Sequence, residues 1–205
     1  MESQITLVDA KPTILTFYPN SMVSATVSAL YTITTNSLDC TTITHAQTGA
    51  IAAKITRRLL LPDSVSFAGP DGKLEAVRMG KWMRDAKPQT PGGRSGHILE
   101  TNTGLRCFIC THVEHRVALF HEGDPSDAKP LARWRLADPE APLSGVALVL
   151  DGVPADFQLH VLVAFIILEH RMRADEKWSL TAEARVTQDG YNYGARTHGT
   201  GQYME

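Results

Sequence analysis

Four cysteine and histidine side chains fall within nine residues of this chain, in Cys107-Phe108-Ile109-Cys110-Thr111-His112-Val113-Glu114-His115. Thiolate sulfur and imidazole nitrogen are donors that zinc takes, about four of them in a tetrahedron. Zinc sites usually join two separated ligand pairs across a turn. This stretch reads instead as a strand, where residues three apart point to opposite faces, so Cys107 and Cys110 diverge. A redox pair would need its first sulfur at a helix N-terminus, where its pKa falls, and nothing around Cys107 reads as a helix. Both cysteines are expected to be small core residues, and no metal is assigned.

The second constellation is basic. From Lys54 to Arg94 there are nine basic residues against four acidic ones, a surplus of five positive charges in a chain whose total is −2. Clustered Lys and Arg draw a protein to an anionic leaflet at about 1 kcal/mol each near the surface. Lys54, Arg57, Arg58, Arg78, Lys81 and Arg84 form the candidate set for lipid headgroups. Sequence neighbours on strands need not be spatial neighbours, so a solvated face of ordinary charge density is the competing reading.

The third is His160, set inside the longest apolar run. A ligand or proton-relay role competes with a buried histidine satisfied by a backbone carbonyl, and the second is expected. Trp82 and Trp134 read as core or rim aromatics. The chain contains no P-loop, G-x-G-x-x-G, G-x-S-x-G or H-E-x-x-H pattern. Asp9, Asp39 and His45 are scattered, with no spacing that suggests a triad. No catalytic residue and no cofactor are assigned.

The elements that must position these groups are mainly strands. Short runs rich in Thr, Val, Ile and aromatics, such as Ile14–Tyr18, Ala29–Thr34, Ile51–Ile55 and Leu105–Val113, are separated by turn residues. Gly69-Pro70-Asp71-Gly72, between Ser64–Phe67 and Leu74–Val77, is the strongest hairpin signal. Lys87–Gly96, with two prolines and three glycines, reads as an exposed loop. Pro154 precedes a helix expected over about residues 155–175, with Asp156 near its positive end and Arg171, Arg173 and Lys177 toward its negative end. From Phe157 to Leu168 that helix is apolar all round, so protein must enclose it on every side. A sheet curling around it would do so and would protect its own edges.

The chain has 205 residues, 43% of them hydrophobic, enough for one sizeable core. Its charge balance excludes a global pull toward nucleic acid. Three cysteines make no disulfide framework and fit a reducing compartment. The polar start Met1-Glu2-Ser3-Gln4 does not read as a secretory signal. Val161–Leu168 is short of the roughly 20 apolar residues a membrane span needs. An intracellular location, cytoplasmic or peripheral to a membrane, is expected. The domain reading is an N-terminal extension over 1–12, a β domain with its core helix over 13–178, and a polar, disordered tail over 179–205.

Several segments, in order, carry a resemblance. They are Leu15-Thr16-Phe17-Tyr18-Pro19-Asn20, Leu30-Tyr31-Thr32-Ile33-Thr34, Gly49-Ala50-Ile51-Ala52, Asp63-Ser64-Val65-Ser66-Phe67, Lys81-Trp82-Met83, Pro130-Leu131-Ala132-Arg133-Trp134, and the helix from Phe157 to Glu176. Over residues 13–177 the chain resembles an uncharacterised, mainly basidiomycete fungal family. That family is grouped with the tubby C-terminal-like superfamily, which includes LURP-one-related and phospholipid-scramblase-like proteins. The resemblance implies a closed antiparallel β-barrel around one central apolar helix, and binding of phosphoinositide headgroups by basic surface residues. One departure is Leu105–Cys110, where the family usually has a Tyr- and Trp-bearing run.

The expected function is a non-catalytic interaction module that binds anionic phospholipid through its basic patch. A protein–protein scaffold using Lys87–Gly96 and the tail is the alternative. An enzyme or lipid translocator ranks lower, as does a peripheral anchor made of the apolar helix.

Overall fold

The computed structural model describes residues 2–8, 13–19, 29–36, 40–58, 60–86, 95–100, 104–124, 128–135 and 147–197. Two compact units divide the chain, Met1–Phe165 and Ile166–Glu205. The first holds every described strand and the start of the long helix; the second holds the rest of that helix.

The strands follow the residue types that favour a pleated surface. They are β1 (Glu2–Val8), β2 (Thr13–Pro19), β3 (Ala29–Asn36), β4 (Cys40–His45), β5 (Ile51–Thr56), β6 (Ser64–Ala68) and β7 (Leu74–Arg78). A single helical turn, α1 (Met79–Trp82), leads to β8 (Met83–Ala86), β9 (Gly96–Glu100), β10 (Arg106–His112), β11 (Arg116–His121), β12 (Ala132–Arg135) and β13 (Ala147–Leu150). The chain is mostly β, with one long C-terminal helix, α2 (Ala155–Thr197).

All pairings are antiparallel, in the order β7-β6-β5-β4-β3-β1-β2-β13-β12-β11-β10-β9-β8. Two meanders, β3 to β7 and β8 to β13, are joined by the β1–β2 hairpin, whose strands pair with β3 and β13. The edge strands β7 and β8 are consecutive in sequence, and α1 alone separates them. Both edges are short and charged, with Glu75 and Arg78 on one and Arg84 and Asp85 on the other, which discourages edge-to-edge association.

The sheet's core face is aliphatic: Ile43, Ile55, Val65, Leu99, Ile109, Leu119 and Leu148 are all inaccessible to solvent. On α2, Val161, Leu162, Val163, Ala164 and Phe165 are likewise at 0% exposure. Five consecutive helical residues step through more than one full turn, so protein surrounds this segment on every side. Phe165 meets Trp134 of β12 edge-on, with ring centroids 5.5 Å apart. Gly152, at φ 84°, turns the chain out of β13 in a left-handed conformation that glycine adopts without strain. Asp151 N–H donates to Leu131 O, and Phe157 N–H donates to Pro154 O to start the helix.

Most strands lie where residue alternation put them, and the Gly69–Gly72 hairpin forms, with Gly72 at φ 74° and its N–H on Gly69 O. Three corrections concern elements. Residues 2–8, read as an extension, form β1 in the middle of the sheet, because the ladders of β2 and β3 supply its partners on both sides. β8 and β9 were not expected; they pair with each other, and β9 also pairs with β10. The helix does not end near residue 175: its backbone is helical through residue 197, into the segment expected to be a disordered tail. Once a helix is nucleated, each added residue gains a hydrogen bond, and Ala182, Glu183, Ala184 and Arg185 are strong formers. In the second unit Arg173 Nε donates to Glu169 Oε1 at 2.8 Å, an i,i+4 pair. Of the expected loop Lys87–Gly96, residues 87–94 lie outside the described residues.

Candidate functional site: a basic sheet end with exposed leucines

Ile55 and Val65 face the core, so Thr56 and Ser64 beside them face outward. Register places Thr56, Ser64 and Arg78 in one row across β5, β6 and β7. This row marks one end of the sheet, where the β5–β6 connection leaves and α1 begins. Arg58 N–H donates to Asp63 Oδ1 at 3.0 Å, closing the connection, and Met79 N–H donates to Asp63 O at 2.9 Å, fastening α1 to it. Asp63 thus holds Arg58, Arg78 and the turn bearing Lys81 at the same end. The three basic side chains are exposed.

Leu60 is 97% exposed and Leu61 58% exposed in this connection. Two aliphatic side chains standing in water beside arginines are the unusual feature, since an isolated surface leucine needs no explanation but a tip of them with a basic surround does. The sequence reading missed them. The signal was present in Arg57-Arg58-Leu59-Leu60-Leu61-Pro62, an aliphatic triplet in a connection between strands rather than within one.

The other candidates separate. Arg57 is half-buried and Nη1 donates to Thr41 Oγ1 at 3.1 Å, so it serves the sheet. Burial pulls its pKa down, and the Asp63 carboxylate opposes that pull. Lys54 is half-buried on the outward face of β5, two residues from the row and opposite Ser66. Arg84 on β8 forms an ion pair with Glu100 of β9. Lys73 pairs with Asp71 at 3.2 Å in the hairpin at the opposite end of β6 and β7. Lys87 and Arg94 lie outside the described residues. Of the six predicted residues, the fold places Arg58, Arg78 and Lys81 at one end of the sheet, leaves Arg57 and Lys54 engaged or half-buried, and pairs Arg84 with Glu100.

The Cys/His stretch also divides. Cys107 is buried on the core side, and Cys110 packs on the other side with Ala118 and Phe120, under Phe108 and Ala128. Burial pushes the Cys107 thiol up to about 11, with Asp124 adding to the rise, so it is not a ready thiolate ligand. The turn after β10 instead gathers His112, Glu114 and His115, whose ligand atoms lie within 4.8 Å of one another.

His160 was expected on a backbone carbonyl. Its partner is a side chain: Trp82 Nε1 donates to His160 Nδ1 at 3.2 Å. The imidazole stacks on Phe67 at 3.9 Å and 17°, and on Phe157 at 5.7 Å and 19°. Burial lowers its pKa, against the pull of Asp156. The group is built as a neutral, packed aromatic with its proton on Nε2.

Among the described residues no helix is long and apolar enough to cross a membrane. In comparison with known proteins, residues 17–174 match the model of a family of unknown function, DUF6593, and the chain belongs to that family. No curated protein and no solved structure matches the chain.

Proposed function

We propose that this DUF6593 chain is a non-catalytic module that docks on anionic membrane surfaces with the β5–β6 end of its sheet. The observation that carries the reading is the pairing of exposed Leu60 and Leu61 with the basic Arg58, Arg78 and Lys81 around Asp63. Each basic group near an anionic leaflet contributes about 1 kcal/mol. Full burial of a leucine contributes about 1.5–3 kcal/mol. Apolar insertion and basic attraction add to each other in reversible attachment to an anionic surface.

The same reading takes the sheet as a tubby-like barrel curled around α2, with α1 bridging its seam. It is supported by the α1 connection between edge strands β7 and β8. A second support is that α2 touches β6 through His160 and β12 through Phe165, strands seven places apart in the sheet order.

Vesicle co-sedimentation tests the function. The chain should pellet with vesicles containing phosphoinositide or phosphatidylserine, and less so as salt rises, because exposed charges are screened. Arg58→Glu with Lys81→Glu should weaken it. Equal pelleting with neutral and anionic vesicles would remove the proposal.

A further inference from the structure

The β10–β11 hairpin turn has a second, independent chemistry. Six residue pairs run without a break from Cys107↔His121 to His112↔Arg116, so the turn Val113-Glu114-His115 sits on a regular ladder. Arg116 has φ 57°, the one non-glycine residue in the left-handed region among the described residues. An L-residue there costs roughly 1–2 kcal/mol, so ordinary turn chemistry would place Gly or Asn at this position. Beside this turn the His115 ring lies over His112: the two imidazoles are parallel within 16°, with centroids 4.9 Å apart. His112 is also placed by Phe120, whose ring lies 6.1 Å away on the neighbouring strand. Glu114 carries its carboxylate to 3.9 Å from His115 Nε2. Val113 is wholly exposed at the tip, so the turn is open to solvent.

We propose that His112, Glu114 and His115 form a binding site for a divalent transition-metal ion, with Zn²⁺ the ion whose chemistry fits best. Two imidazole nitrogens and one carboxylate oxygen are the borderline donor set that zinc accepts, with a fourth position left to water. Zinc bonds of about 2.1 Å in a tetrahedron set the donors about 3.4 Å apart. The present donors lie within 4.8 Å of one another, and co-ligation asks for χ rotations that unstack the two rings and turn their lone pairs toward one point. Glu114 is exposed and rotates freely into place. His112 Nδ1 accepts the Glu114 N–H at 3.2 Å, and an ion taking that lone pair replaces an exposed N–H···N bond that water readily satisfies. The buried cysteines of the same strand take no part.

The test is a Zn²⁺ titration of the untagged, metal-stripped full chain, by calorimetry and by competition with a chromophoric chelator. Saturable one-to-one binding is expected, in the micromolar range. His112→Ala and His115→Ala should each weaken it by about tenfold or more, and Cys40→Ser, at the partly exposed thiol, should leave it unchanged. In ring NMR spectra the His112 and His115 signals should shift on Zn²⁺ addition while that of His45 stays in place. Absence of saturable binding would overturn the proposal. So would binding undiminished in the folded His112→Ala/His115→Ala double variant, or shifts confined to other histidines.

Discussion

Trp82 and His160, 78 residues apart, are joined by an indole N–H donated to an imidazole Nδ1 at 3.2 Å. Trp82 ends α1, the turn between edge strands β7 and β8, and His160 lies on α2, so this bond ties that turn to the helix. Trp82→Phe keeps an aromatic ring beside Phe67 while removing the donor and the second ring of the indole. A loss of about 1 kcal/mol is expected, read as a lowered urea midpoint with an unchanged slope.

Burial of the same imidazole makes stability depend on pH. His160 is held neutral in the fold, its pKa lowered by burial, while in the unfolded chain it titrates near the ordinary value of about 6.5. Above that value the imidazole is neutral in both states and its contribution is fully present. As pH falls below it, the unfolded chain binds the proton first, so stability declines until pH passes the folded-state value. Protonation at Nδ1 would also set N–H against the Trp82 N–H. His160→Gln should flatten this part of a stability–pH profile measured by urea denaturation, with Asp156, the acid facing this site, left in place.

Phe165 closes the wholly buried helix segment Val161–Phe165 and stands edge-on to Trp134. Phe165→Ala should cost about 3–5 kcal/mol through lost contacts and a cavity. Phe165→Asp should prevent folding, because it places an unpaired charge in an apolar interior. A cooperative unfolding transition in the Asp variant would contradict enclosure of the helix.

Gly96 opens β9 where its neighbour β10 lies close. A Cβ there would come 2.4 Å from Ile109 O and 2.8 Å from the Phe108 ring. Backbone cannot yield as a flexible side chain does, so Gly96→Ala should destabilise by about 1–3 kcal/mol, measured as a drop in melting temperature.

Substitutions at Leu60 and Leu61 test the proposed membrane docking apart from stability. Leu60→Ser with Leu61→Ser should change stability by about 0.5 kcal/mol or less per site, yet lower vesicle pelleting. Arg84→Gln should leave pelleting nearly unchanged, because Arg84 is already paired with Glu100. The loss of that exposed pair should cost at most about 1 kcal/mol.

What the sequence determined by itself was local. Period-two alternation placed most strands, Gly69–Gly72 specified a hairpin, and an apolar surface around Val161–Phe165 required enclosure, because these patterns depend on residues a few positions apart. β1 escaped notice because residues 2–8 become a strand only through partners on β2 and β3. β8 and β9 were hidden by the Pro- and Gly-rich stretch between them. Only the tertiary structure decided which charges meet. Strand register set Arg78 opposite Ser64, Asp63 drew Arg58 and α1 together, and Glu100 paired with Arg84. It likewise replaced the expected carbonyl partner of His160 with Trp82. The physical reason is one of range: propensity and periodicity act along a few residues, whereas pairing, burial and charge convergence depend on groups brought together from far along the chain.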